Sequence, residues 1–301
     1  MEAHNVQTGG GIIDMNNDIS ISANRELKDG VFKLLFDNQE NAAELYYALT
    51  GKECSPEEVQ IFTLSTVISG KRQNDLAFVV RDEALVVGEH MSTPSTNMPA
   101  RFLIYVGQLY DKWITGNDGG ALIYGSSLYQ IPTPELVVFY NGIASRPEKE
   151  ILKLSTAFKK QADTSIFGSV EVEVPVYNIN KGMGSGLFSK SEKLKHYSEF
   201  IAKIRELQTI YNDYTEAVGK AVEYCINNGI LAEFLKKKRG VIVSILNMEY
   251  TEEVAVRVAR NDGIKEGLIE AAKNMLKRNR PIDEIMEVTS LTRNEVESLS
   301  I

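Results

Sequence analysis

Residues 74–93 read NDLAFVVRDEALVVGEHMST, and this stretch decides the fold. Two apolar runs, over residues 75–81 and 84–91, are separated by only two or three residues, a pattern that predicts an antiparallel hairpin. Both runs carry an acid at the same end of that hairpin, because Asp75 opens the first run and Glu89 lies near the end of the second. Burying an acid in an apolar hairpin is costly unless it has a partner. The stretch therefore predicts both a β-hairpin and a candidate site.

The register of the hairpin decides whether the two acids meet. With a three-residue loop over 82–84, Asp75 faces Met91, and Asp75, Glu89 and Met91 share one face because side chains alternate along a strand. With a two-residue loop, Asp75 faces His90 and Glu89 points to the other face. The strand pattern leaves both registers open.

The segments around the hairpin predict an α/β fold with the element order helix, strand, strand, strand, helix, strand. FKLLFDNQENAAELYYAL, residues 32–49, has apolar positions at helical spacing, with Asp37 or Asn38 as N-cap and Gly51 as the stop. The other elements are a strand within 59–68, the hairpin, a helix over 98–114 opened by Pro99, and a buried strand over 134–142. Residues 170–179 alternate and predict an added strand.

Composition divides the chain into three parts. Residues 1–25 are polar and predict a flexible arm, and residues 26–182 contain the predicted sheet. The Gly-, Ser- and Lys-rich stretch KGMGSGLFSKS predicts a linker, and residues 190–301 predict an α-helical C-terminal region. This region ends in two short amphipathic segments about a Thr-Ser-Leu-Thr break. We expect them to pack or to form a homodimer rather than to read DNA, because Glu295 and Glu297 repel phosphates.

Overall composition excludes several classes of protein. The chain has 301 residues, of which 43% are hydrophobic and 25% charged, so it can bury a core and is neither disordered nor collagen-like. A formal charge of −8 means that DNA binding must rely on local basic patches or a bridging metal. Cys54 and Cys225 predict buried thiols in a reducing compartment. With no signal sequence and no apolar run of about 20 residues, the sequence predicts a cytoplasmic protein without a membrane span.

The hairpin acids predict metal-assisted chemistry if they converge. Mg²⁺ takes one or two carboxylates and keeps several waters, and such an ion can orient a water and stabilise charge on a phosphoryl oxygen. The alternative is a structural acid pair held by an Arg or Lys at the rim of the sheet. The three histidines show no zinc spacing, and the chain lacks the motifs of P-loop proteins and serine hydrolases.

Several stretches resemble one nuclease family. NDLAFVV, VVGEHMSTPSTNMPARFLIYVGQLY, PTPELVVFYNG and the tail PIDEIMEVTSLTRNEV are similar to the Rpn family of recombination-promoting, transposase-associated nucleases, within the PD-(D/E)xK nuclease-like superfamily. The likeness spans residues 30–301. It implies a restriction-endonuclease-like α-β-β-β-α-β core with a mixed sheet, and a DNA endonuclease activity. It also implies that Asp75 and Glu89 hold Mg²⁺, with Mn²⁺ as a substitute. Glu44 on the first helix is similar to the helical acid that some such nucleases add to the metal site; the alternative is an exposed helix charge.

One motif position departs from the family pattern. Met91 stands where the family has Gln and the superfamily Lys, and a thioether is a weak acceptor that cannot donate a hydrogen bond to water or phosphate. The candidates for the missing role are Gln108, Arg101, Gln73 and His90. Two other interpretations stay open: a catalytically weakened or inactive relative that binds DNA or regulates, and a helical oligomerisation protein whose acid pair is structural.

Overall fold

The computed structural model describes residues 27–62, 75–117, 119–159, 169–242, 267–278 and 280–299. The described residues fall into two compact units, one containing 27–242 and the other containing 267–299. The predicted arm over 1–25 and the candidate residue Gln73 lie outside the described residues.

The larger unit is built on one mixed sheet. Its strands are β1 (Val59–Ile61), β2 (Leu76–Val80), β3 (Ala84–Met91), β4 (Thr133–Tyr140), β5 (Lys149–Lys153) and β6 (Glu173–Asn178). Among the described residues, these six strands lie side by side in the order β1-β2-β3-β4-β6-β5. β4 is parallel to β3 and to β6, and the other neighbouring pairs are antiparallel. The predicted α/β class and mixed sheet are confirmed.

The helices interleave with the strands in the predicted order. They are α1 (27–36), α2 (Gln39–Thr50), α3 (Met98–Gly116), α4 (Gly119–Leu122), α5 (Ser185–Phe188), α6 (Glu192–Gln208) and α7 (Tyr214–Asn227), and residues 232–242 are also helical. The single helix predicted over 32–49 is in fact two, because Asn38 is extended (φ −154°) and its side chain accepts a hydrogen bond from Asn41 N at the start of α2. As predicted, Gly51 ends α2, in the left-handed conformation with φ 73°.

The hairpin has a register that differs from both predicted ones. Val80 pairs with Ala84 and Leu76 pairs with Gly88, so the turn consists of residues 81–83. Arg81 leaves the β2–β3 ladder because its backbone N–H bonds to Glu58 O beside β1, and its guanidinium bonds to the Glu58 carboxylate. Compared with the predicted three-residue loop, the pairing shifts by two residues. A shift of two leaves every side chain on its predicted face.

Each face of the sheet is covered by different helices. On one face, Val87 and Met91 belong to an apolar core that also contains Phe102 of α3. On the other face, the ring centroid of Phe32 in α1 lies 5.2 Å from that of Phe139 in β4. Side chains of β3 therefore contact α3 or α1 according to their position along the strand.

The sheet-bearing unit continues past the linker predicted over 181–191. The ring of Tyr197 in α6 lies 5.4 Å from that of Phe32, so this helix packs on the α1 side of the sheet. The first part of the helical region predicted over 190–301 thus belongs to the same compact unit as the sheet. The sequence does not predict the strand β5, because KEILK is mostly polar. This strand lies at the edge of the sheet and is little buried, so it carries little apolar pattern.

The smaller unit is helical. Residues 267–277 are helical and precede the helices Ile282–Thr289 and Arg293–Ser298, which confirms the two short segments predicted around the Thr-Ser-Leu-Thr break. Its buried apolar residues are Ala272, Ile285, Leu291 and Val296. Within the ranges that the structure describes, no helix combines the length and the apolar character needed to cross a bilayer.

Candidate active site

Two acids lie at the open end of the hairpin. Extending the register one residue beyond the Leu76–Gly88 pair places Asp75 beside Glu89, on the face covered by α3. Glu89 is 3% exposed, and Asp75 is partly buried. Burial raises the pKa of both carboxyls; the charge of Asp29 raises that of Asp75 further, and the charge of Asp75 raises that of Glu89. Placing the two ionised carboxylates together in this partly buried position therefore costs electrostatic free energy.

The two oxygens of Glu89 have different environments. Oε2 accepts a 2.8 Å hydrogen bond from the Arg101 guanidinium, which also bonds to the Tyr105 hydroxyl and to the sulfur of Met98. Oε1 is buried and has no hydrogen-bond partner among the described residues. In the predicted structural alternative, an Arg or Lys at the sheet rim holds the acids. Arg101 does this for Oε2 of Glu89 but not for Oε1. A buried acceptor without a partner is uncommon and calls for a ligand or a water.

The carboxylate of Asp75 is anchored but not neutralised. Its Oδ2 accepts a 2.8 Å hydrogen bond from the backbone N–H of His90. The charge of Lys33 on α1 lowers the pKa of Asp75, yet no side chain in the described ranges forms an ion pair with it. The negative charge of Asp75 thus remains available to a cation.

The imidazole of His90 occupies the opposite face of the sheet from Glu89. Its Nδ1 donates a 2.6 Å hydrogen bond to Asp29 on α1, and its Nε2 lies 2.9 Å from the hydroxyl of Tyr197 on α6. The same hydroxyl lies 3.1 Å from the backbone oxygen of Lys28. With its ring 5.2 Å from that of Phe32 as well, His90 is a support that fixes the backbone N–H offered to Asp75.

The substituted motif position lies in the apolar core. Met91 is 6% exposed and belongs to the same cluster as Met98 and Phe102, so it points to the acid-pair face and offers no donor there. Of the predicted replacements, the structure brings Arg101 to Glu89. Gln108 lies about 10 Å further along the axis of α3, is half-buried, and makes no hydrogen bond within the described part of the chain.

The side chain of Glu44, on α2, lies at the start of α6. Its Oε1 accepts hydrogen bonds from the Ser191 hydroxyl at 2.7 Å and from Lys193 N at 2.8 Å. Ser191 is the N-cap of that helix and Lys193 lies in its first turn, where backbone N–H groups have no partner within the helix. The carboxylate therefore joins α2 to α6, and none of its hydrogen bonds reaches the hairpin acids.

Two residues of the site were missed from the sequence. Asp29 precedes the apolar positions used to predict the first helix, which began at residue 32, whereas α1 is already helical at residue 27. Tyr105 lies one helical turn after Arg101, a spacing that puts both on one face of α3 and offered a usable signal.

The acid pair fits a hard divalent cation. Asp75 and Glu89 supply carboxylate oxygens, and Mg²⁺ usually binds one or two of these while keeping several waters. The buried, unpartnered Oε1 of Glu89 is the atom that such an ion would satisfy. No group of three or more His, Cys, Asp or Glu side chains suited to a metal occurs among the residues described. Within the described residues the candidate site therefore offers two carboxylates, those of Asp75 and Glu89.

No family model, no curated protein and no solved structure matches this chain. The resemblance to the Rpn nucleases rests on the motifs quoted above.

Proposed function

We propose that this chain is a metal-dependent DNA endonuclease that hydrolyses phosphodiester bonds, with Asp75 and Glu89 holding Mg²⁺. The observation that carries the proposal is the buried, unpartnered Oε1 of Glu89 beside the Asp75 carboxylate, which no ion pair in the described residues neutralises. Two repelling acids in a partly buried position are costly for folding and are commonly kept for binding or catalysis.

Each neighbouring side chain has a defined task in this proposal. Asp75, fixed by the His90 N–H, and Glu89, fixed by Arg101, hold their oxygens toward one cation. A bound Mg²⁺ supplies charge stabilisation at a phosphoryl oxygen and orients a water. The Arg101 side chain is 44% exposed, so its guanidinium can donate to a phosphate oxygen in the role that Met91 cannot fill.

A second candidate is a DNA-binding or regulatory protein without nuclease activity. The burial of Met91 in the apolar core favours it, because the position nearest the acid pair on β3 then supplies neither a donor nor a charge. In this case Arg101 serves only to neutralise Glu89.

Plasmid nicking separates these candidates. Supercoiled DNA is incubated with Mg²⁺ or Mn²⁺ and with wild type, Asp75→Asn, Glu89→Gln, Met91→Gln or Glu83→Gln. Glu83 lies exposed in the turn of the same hairpin and serves as the matched control. We expect wild type and Glu83→Gln to nick, and the two acid variants to lose about 100-fold or more, at least as much as loss of a residue supporting a metal ligand costs.

Three outcomes count against the nuclease proposal. Nicking by Asp75→Asn at the wild-type rate would place the site elsewhere. A wild type that is inactive while Met91→Gln cuts would establish the second candidate. Inactivity of wild type and of Met91→Gln with either metal ion would contradict the nuclease proposal.

A further inference from the structure

The ion pair between Arg101 and Glu89 uses only one hydrogen bond. Nη2 of Arg101 donates to Oε2 of Glu89 at 2.8 Å, and Oε1 has no hydrogen-bond partner among the described residues. An arginine beside a carboxylate frequently forms two parallel hydrogen bonds, one to each oxygen. Glu89 is 3% exposed, and a buried acceptor without a partner is costly. Another contact of the guanidinium must therefore determine its orientation toward Glu89.

The hydroxyl of Tyr105 supplies that contact. It accepts hydrogen bonds from Nε of Arg101 at 3.2 Å and from Nη2 at 2.8 Å. These two N–H groups form one edge of the planar guanidinium, an edge that can bind both oxygens of a carboxylate when it is available. Nη1 lies 3.3 Å from the sulfur of Met98, which is a weak acceptor. Tyr105 and Met98 thus contact all three nitrogens, and Glu89 receives only the second N–H of Nη2.

Tyr105 is itself fixed in the apolar core. It is 4% exposed and belongs to the cluster in which α3 packs on the sheet. Its ring centroid lies 6.1 Å from that of Phe102, with the rings edge to face, and 5.7 Å from Cζ of Arg101. Because the guanidinium is a rigid plane of five donors, a fixed acceptor at one edge sets the orientation of the whole group.

The Tyr105 hydroxyl can act on Glu89 by two routes. Burial, and then the charge of Asp75, raise the pKa of Glu89. The charge of Arg101 and the nearby Tyr105 hydroxyl lower it. The direct route stabilises the charge of Glu89, whereas the route through Arg101 decides whether Oε1 is open to a ligand. Only the second route requires the guanidinium, so substitution of Arg101 separates them.

We propose that Tyr105 is a positioning residue, whose hydroxyl turns the Arg101 guanidinium so that Oε2 of Glu89 is paired and Oε1 stays open for a cation. This role deepens the proposed function and rests on it for the identity of the ligand, a hard divalent ion such as Mg²⁺. Without the hydroxyl, the guanidinium is free to rotate and to pair with both oxygens of Glu89. It then competes with the cation for the carboxylate.

The first measurement is the affinity for Mn²⁺, obtained by electron paramagnetic resonance of the unbound ion. It compares wild type, Tyr105→Phe, Arg101→Met, the protein with both substitutions, and Tyr110→Phe. Tyr110→Phe is the matched control, because it removes another hydroxyl from α3, one that donates to the backbone oxygen of Pro132 at 2.6 Å.

We expect Tyr105→Phe to weaken Mn²⁺ binding about tenfold, as for other residues that support a metal ligand. Tyr110→Phe should change the affinity less than about twofold. In the Arg101→Met background, Tyr105→Phe should also have less than about a twofold effect, because no guanidinium is then present to be turned.

The second measurement needs no metal. Urea unfolding of Arg101→Met, Glu89→Gln and the protein with both substitutions gives the coupling between these residues, in the wild-type and in the Tyr105→Phe background. We expect stronger coupling in the Tyr105→Phe background, because two hydrogen bonds then replace one. A wild type that binds no Mn²⁺ but shows this increase supports the positioning role and contradicts only the proposed function.

Four results would overturn the positioning role of Tyr105. Two concern a wild type that binds Mn²⁺: an unchanged affinity in Tyr105→Phe, or an equal loss in Tyr110→Phe. A tenfold loss that persists in the Arg101→Met background would mean that the hydroxyl acts on Glu89 directly. Unchanged coupling between Arg101 and Glu89 would mean that the hydroxyl does not orient the guanidinium.

Discussion

Lys28→Met should make the protein more stable, and by an amount that depends on pH. Lys28 is buried on α1, where burial and then the charge of Arg205 on α6 lower its pKa, while the charge of Asp29 on the same helix raises it. Its pKa is about 7 in the folded protein, against 10.5 for an ordinary lysine. A methionine has nearly the same length and carries no charge to desolvate.

The magnitude follows from linkage. Because the folded pKa is lowered, the protonated lysine destabilises the fold fully below pH 7, and the penalty disappears as pH rises from 7 toward 10.5. At about 1.4 kcal/mol for each tenfold change in proton affinity, the penalty is about 5 kcal/mol at pH 6 and about 2 kcal/mol at pH 9. Lys28→Met should therefore raise the free energy of unfolding more at pH 6 than at pH 9, by about 3 kcal/mol.

Urea unfolding of both proteins at pH 6 and pH 9, in buffers without phosphate or sulfate, measures this difference directly. Comparing the variant with wild type cancels the titration of every other group that the substitution leaves undisturbed. A Lys28→Met protein that is less stable than wild type at pH 6, or equally affected at both pH values, would refute the burial of an uncompensated ammonium at this position.

Further predictions concern the acid pair, its support and one glycine. Because the pKa values of Asp75 and Glu89 are raised in the fold, the contribution of these two carboxyls to stability should fall as pH rises from 5 to 8, and Asp75→Asn should flatten the pH dependence of thermal unfolding over this range. Asp29→Asn should weaken Mn²⁺ binding about 10- to 100-fold by calorimetry, through the loosened His90 ring; unchanged affinity would contradict the support role. Gly142→Ala should destabilise by about 1–3 kcal/mol, because its Cβ would lie 2.1 Å from Ser92 O; a neutral effect in urea unfolding would contradict this packing.

Local sequence signals were sufficient for the hairpin and its surroundings. Apolar runs, the polar break at Asp82 and Glu83, and the cap candidates Asp37 or Asn38 and Gly51 act through neighbours in the chain, so they predicted the hairpin strands and the ends of α2. The hairpin register was not predictable in this way. It depends on Arg81, which leaves the ladder for Glu58, a residue 23 positions earlier in the chain.

The remainder of the site depends on contacts between distant residues. His90 meets Tyr197 across 107 positions and Asp29 across 61, and Arg205 meets Asn141 across 64. The motifs that contain His90 and Asn141 do not indicate these partners, and no periodicity marks them. The two acids were found because they lie on one hairpin, whereas Lys28 was missed because a single buried lysine cannot be told from an exposed one by sequence.

The most direct test of the acid pair is titration of metal-free protein with Mn²⁺, followed by electron paramagnetic resonance of the unbound ion. Wild type and Glu83→Gln should each bind one Mn²⁺ ion, while Asp75→Asn and Glu89→Gln, both folded by circular dichroism, should bind it at least about tenfold more weakly. Equal binding by all four proteins, or none by wild type, would contradict the assignment of Asp75 and Glu89 as a cation site.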